Sequence, residues 1–186
     1  MFPIAGLAES PQFKNMVANS VTGDILAEQN EWIYLKDKMT DKWKKLIPGV
    51  CPQWHPDGKR FFYFLDVGYD GPRAELWLSD ANGEGRIRLT RSDYFVQESP
   101  VVSKDARKLA YHYWTCRASG DFRDIVVIEL NGKGFDDTVE ARVVFRTKGS
   151  VHMGPLRWVG EKNLEVTVNG EKKEIDTSGN GERQLP

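Results

Sequence analysis

An all-β fold is predicted, a β-propeller-type array of about four four-stranded antiparallel blades. Three observations predict it. Between Cys51 and Thr90 the chain reads as one meander: a Pro-x-Trp-x-Pro-Asp-Gly turn, the apolar run Phe61–Leu65, a second run Glu75–Leu78, the pair Asn82-Gly83 and a closing Leu89-Thr90. The pattern then returns: 48 residues separate Pro52 from Pro100, Asp57 from Asp105 and Tyr63 from Tyr111, and 49 separate Asn82-Gly83 from Asn131-Gly132. The apolar runs are also short, aromatic or β-branched and bounded by turn formers, which suits a buried pleated surface better than a helix face. A period in the forties with four strands per copy is the sequence mark of propeller blades.

In chain order, Met1 to Gln12 reads as an arm that packs along the first blade, held by Pro3 and Pro11. Blade one spans roughly residues 13–50, with FKNMVANSV and DILAEQ as its first two strands around Gly23-Asp24, EWIYLKD as the third and KWKKLIPG as the last. The Lys-rich KDKMTDKWKK is either a basic binding patch or a charged outer edge that discourages strand pairing, the second being the ordinary reading. Blade two covers roughly 51–97. Asp57-Gly58 and Asn82-Gly83 tolerate the left-handed backbone that tight reversals need. Pro52 and Pro56 cannot donate to a ladder, so the first strand of this blade is expected to be short and to end there.

Blade three, roughly 98–150, reads ESPVVSKDARKLAYHYW, then DIVVIELNGKG, and closes on EARVVFRTKG after a longer hairpin loop. Its turn, Ser103-Lys104-Asp105, lacks the proline of blade two, so the turn chemistry is expected to differ between copies. In blade four, roughly 151–186, Trp158 takes the part of Trp54, and the copy closes through EKKEIDTSGNGERQL into a last strand. No low-complexity linker divides the chain, so residues 1–186 read as a single domain.

Composition bounds the function. Hydrophobic residues at 40% and charged residues at 28% are ordinary for a soluble globular chain, and the formal net charge of −1 gives no footprint for nucleic acid or an anionic membrane. The start MFPIAGLAESPQF lacks a basic region and a long apolar stretch, so a cytoplasmic location is expected, or a periplasmic one if a signal has been removed. Cys51 and Cys116 are too few for a disulfide framework; both flank strands of neighbouring blades, as two buried thiols or a single bridge.

PQWHPDGKRFFYF followed by ELWLSDANGEGRIRLT resembles the repeat of TolB-type propellers, in which a Pro-Trp-Ser-Pro-Asp-Gly-Lys turn precedes an apolar strand and a Leu-Thr end. His55 stands where the family has Ser. The resemblance implies the propeller architecture and a binding role, and it carries no catalytic residue. The preferred expectation is a non-catalytic binding or scaffold module that presents loops to a protein or carbohydrate, without cofactor, and associates as a homodimer or forms part of a larger ring.

The candidate ligand-binding residues are Tyr94, Phe95, His112, Trp114 and Arg117. Tyr94, Phe95 and Trp114 fall at strand ends or loops, where rings stack on a sugar or clasp a peptide, or else pack blades together. Alternation places His112 opposite Tyr111 and Tyr113, as an inter-blade histidine or a pocket residue. Arg117, Asp121 and Asp124 surround the loop CRASGDFRD as a polar site or a solvated loop. His55 is expected on the surface of its turn. DANGEG and DTSGNGE lack the ligand spacing of an EF-hand and read as hairpin turns.

A second resemblance supports an alternative. VHMGP and FVQESP are similar to segments of oligogalacturonate lyases, propellers that hold manganese with histidines and a glutamine. That resemblance nominates His152 and Gln97 as manganese or calcium ligands of a metal-assisted polysaccharide lyase.

Overall fold

The computed structural model describes residues 12–66, 74–90, 100–117, 120–130, 141–149 and 151–178. Blade one consists of β1 (Lys14–Ala18), β2 (Ile25–Gln29), β3 (Trp32–Lys36) and β4 (Trp43–Pro48) in that spatial order. Blade two holds β5 (Val50–Trp54), β6 (Arg60–Asp66), β7 (Ala74–Asp80) and β8 (Ile87–Arg88), and blade three β9 (Val101–Val102), β10 (Lys108–Arg117), β11 (Gly120–Glu129) and β12 (Ala141–Lys148). Blade four contributes β13 (Arg157–Val159), β14 (Asn163–Val168) and β15 (Glu171–Asp176). The last strand expected beyond β15 lies outside the described residues. Every pairing is antiparallel between neighbours in sequence, as in a meander. Among the described residues there is no helix, and so none long and apolar enough to cross a membrane.

The blades stack face to face. On β6, Phe61 and Tyr63 pack toward blade one, and Phe62 and Phe64 toward blade three, which explains why its sequence is aromatic without alternation. Each of these rings is buried, worth about 1.5–3 kcal/mol apiece relative to exposure. A third cluster joins blades three and four through Ala110, Ile125 and Val127 on one side and Leu156, Leu164, Val166 and Val168 on the other.

A polar bond recurs at two of these seams. Trp54 Nε1 donates to the Val17 carbonyl on the inner strand of blade one at 3.0 Å, and Trp158 Nε1 donates to the Val101 carbonyl of blade three at 3.1 Å. The repeat position of tryptophan is therefore a blade-to-blade tie. Blade one also ties to blade two through Asn19 Nδ2, which donates to the Gly58 carbonyl at 2.9 Å.

The turns after the inner strands match more closely than the sequence suggests. In blade two, the His55 N–H donates to Arg60 O and the Gly58 N–H to His55 O, both at 2.9 Å. In blade three, the Ser103 N–H donates to Lys108 O at 2.8 Å and the Ala106 N–H to Ser103 O at 2.9 Å, so turns of different chemistry share one hydrogen-bond pattern. An aspartate holds each turn: Asp57 Oδ1 accepts from the Lys59 N–H, and Asp105 Oδ1 accepts from the Arg107 N–H and the Ser103 hydroxyl. The proline is dispensable because these carboxylates fix the reversal.

Two expectations for blade two need correction. β5 is short and ends before Pro56 as expected, but it does not stop at Pro52: a register shift between Val50 and Gln53, with Cys51 at φ 51°, carries the strand past that missing donor. His55 is only 8% exposed: its ring lies 5.6 Å from that of Phe62, and Nδ1 accepts from the Asp57 N–H at 3.2 Å. Burial pushes its pKa below the usual value, with Asp57 opposing and Arg60 adding to the shift. The closing Leu-Thr also has a structural reason. The Leu76 N–H donates to Thr90 Oγ1 at 2.9 Å, and the Leu89 N–H to Leu76 O at 2.8 Å, which extends the ladder past β8.

Candidate functional site

Antiparallel order fixes which segments share an end of the stack. β6, β10 and β14 end, and β5, β9 and β13 are entered, at one rim. The Asp57-Gly58, Asn82-Gly83 and Asp105-Ala106 turns occupy the opposite rim. The entry rim thus gathers the close of the β10–β11 ladder, with Trp114 and Arg117 on β10, and the entry to blade four with His152. Topology places Trp114, Arg117 and His152 at one end although 38 positions separate Trp114 from His152 in sequence.

Tyr94, Phe95 and Gln97 themselves lie outside the described residues. Trp114 pairs with Arg123 and Arg117 with Gly120 in the β10–β11 ladder, their side chains lying outside the described set. Among the described residues the β6–β7 ladder of blade two runs to Asp66 and Ala74, the counterparts of Trp114 and Arg123, and the β10–β11 ladder of blade three runs to Arg117 and Gly120.

His152 is exposed, and its backbone is clamped at both ends: its N–H donates to Asn169 Oδ1 at 3.0 Å, and its carbonyl accepts from the Asn169 N–H at 2.9 Å. His112 is buried, and its Nε2 lies 3.1 Å from the Gly154 carbonyl of blade four. The ring therefore bridges blades three and four immediately behind the His152 entry. Cys51 is half-buried with Sγ accepting from Asn15 Nδ2 at 3.6 Å, and the Cys116 side chain lies outside the described residues.

Asp124 is not a loop residue. It sits inside β11 opposite Tyr113, is 0% exposed, and accepts from Arg146 of β12 through both oxygens, at 2.9 and 2.8 Å. The Arg146 guanidinium in turn lies 5.6 Å from the Phe122 ring. Blade two repeats the device 49 positions earlier. Glu75 accepts from Trp77 Nε1 at 3.1 Å and from Arg88 of β8 at 3.3 Å. An acidic residue at one repeat offset, followed by Arg on the next strand, was the available sequence signal. These clasps pin the outer strands to the third strands. Among the described residues, no group of three or more His, Cys, Asp or Glu is placed to hold a metal ion.

No protein-family model matches the chain, and no curated protein matches it in sequence. Solved structures do. The chain superposes on an oligogalacturonate lyase in complex with manganese (TM-score 0.59, 13% identity, covering 93% of this chain and 59% of that one). It also superposes on TolB from Acinetobacter baumannii (TM-score 0.53, 20% identity, 89% and 44%) and on the tricorn protease (TM-score 0.57, 10% identity, 87% and 22%). The chain is a four-blade β-propeller. It spans less than two thirds of each of these chains, and at such identities the likeness is one of fold.

Proposed function

We propose that this β-propeller chain is a non-catalytic binding module of the TolB-like type, whose entry rim presents loops to a protein or carbohydrate. The observation that carries this reading is the β10–β11 ladder, which runs through Trp114 to the Arg117–Gly120 pair on the rim from which blade four is entered at His152. Aromatic rings with an adjacent guanidinium suit the apolar face and the polar edge of a sugar or peptide together. His112 supports the rim from within by tying blade three to blade four.

The test is binding of the purified chain to arrayed neutral and acidic oligosaccharides and to immobilised peptides, repeated with Trp114→Ala and Tyr94→Ala. The expected result is capture by one ligand class and at least about tenfold weaker binding by each variant, with the far-UV spectrum and melting temperature unchanged. Variants that melt early would instead make those rings inter-blade packing. Elemental analysis accompanies the assay. Stoichiometric manganese or calcium that disappears in His152→Ala, together with unsaturated sugar product, would replace this reading with the metal-assisted lyase.

A further inference from the structure

Among the described residues, four blades share three cores, between blades one and two, two and three, and three and four. Two blade faces are left, and they differ in chemistry. On β3, Ile33 and Leu35 turn toward blade two, so Trp32, Tyr34 and Lys36 alternate onto the outer face of blade one. Pairing adds Trp43 opposite Lys36 and Lys45 opposite Tyr34. Phe13 stacks on Trp43 at 4.0 Å and meets Tyr34 edge-on at 5.4 Å, while Lys45 Nζ lies 3.5 Å over the Trp32 ring. This face is aromatic; Lys45 stands on it over the Trp32 ring, and Lys36 at its end pairs with Asp41 at 2.5 Å. That is an unusual surface to leave to water.

On blade four, Leu164, Val166 and Val168 turn toward blade three, so Asn163, Glu165 and Thr167 alternate outward, joined by Lys172, Glu174 and Asp176 of β15. Arg157 and Lys172 flank Glu165 at 3.0 and 3.6 Å. The third strands of the two blades correspond from their ends: Trp32, Tyr34 and Lys36 on β3 match Lys172, Glu174 and Asp176 on β15. Stacking in the sense of the three existing seams would bring Glu174 to Lys45 beside Tyr34 and set the aliphatic stem of Lys172 against the Trp32 ring.

From this complementarity we propose that blade four of one copy packs on blade one of a second copy, and reciprocally, so that two arcs form one ring. The inference goes beyond the binding reading, and its readout is mass rather than ligand capture. Sedimentation velocity of the 186-residue chain over micromolar to submillimolar concentration is expected to give a dimer of about 42 kDa, twice the 21.2 kDa of one chain. Lys45→Glu and Glu174→Lys, both on the surface, are each expected to weaken the dimer by roughly tenfold or more, and the two together in one chain to restore it. Trp43→Glu is expected to give a monomer with an unchanged far-UV spectrum. A chain that stays monomeric at every concentration overturns the proposal, and means that the face is covered from within the chain or stays open. A dimer indifferent to Lys45→Glu, or one that the double reversal does not restore, overturns it as well, because the copies would then meet elsewhere.

Discussion

The tryptophan ties allow a quantitative comparison within one molecule. Trp54→Phe and Trp158→Phe each delete an indole N–H that reaches the inner strand of the preceding blade, at 3.0 and 3.1 Å. Trp54 is 6% exposed in the core between blades one and two, whereas Trp158 is half-buried at the edge of the core between blades three and four. For Trp54→Phe, the orphaned Val17 carbonyl costs about 1–2 kcal/mol and the lost ring volume roughly 1–2 more. At Trp158 water can reach the Val101 carbonyl and fill the space, so the same change costs about 1 kcal/mol. For a chain of this size, about 2–4 °C per kcal/mol gives a melting temperature lowered by roughly 4–16 °C for Trp54→Phe and roughly 2–4 °C for Trp158→Phe. Urea and thermal unfolding followed by circular dichroism measure both. If Trp158→Phe is the more damaging, or if neither variant costs more than about 0.5 kcal/mol, the repeated bond is not what holds the blades together.

Two further outcomes follow from the turns. His55 is held below its ordinary pKa of 6.5, first by burial. Above about pH 6.5 the ring is neutral folded and unfolded; below it the unfolded chain takes up a proton that the folded turn resists, so stability falls as pH drops toward the folded value. Comparing urea midpoints at pH 7 and pH 5 for the native chain and His55→Ser isolates this term, and an unchanged difference would remove it. The second outcome concerns the matched positions Gly58 and Ala106, at φ 67° and 58°. A Cβ on Gly58 would lie 2.7 Å from Val21 Cβ, so Gly58→Ala is expected to destabilise by about 2 kcal/mol or more, whereas Ala106→Gly relieves left-handed strain and is expected to stabilise by up to about 1 kcal/mol. Chemical denaturation of both variants checks the opposite signs.

Much of this architecture was legible in the residues. Asn82-Gly83 marked its reversal, and Trp158 in the part of Trp54 proved to make the same bond. What escaped the sequence was decided by register and by neighbours from other strands. The bulge that carries β5 past Pro52 depends on the backbone of Cys51, which residue type does not announce. His55 is buried because Phe62 and the reversal at Asp57 close over it, although its place in a turn suggested exposure. Asp124 finds Arg146 across a strand pair whose register shifts between Ile125 and Val126, so a count along the chain does not bring them together. At the entry rim, the ladder that carries Trp114 and Arg117 to the end of β10 emerged only from its pairing.

The serial order of the seams has a kinetic consequence. Each core draws only on two consecutive blades, and the first is made almost entirely from residues between Val17 and Ala81. Nothing in that cluster waits for the second half of the chain. On the ribosome, blades one and two can therefore close their seam while blades three and four are still being synthesised, each later blade adding to a surface already formed. The search for partners is short at every step, unlike that of a β-sandwich whose sheets exchange strands from both ends of the sequence.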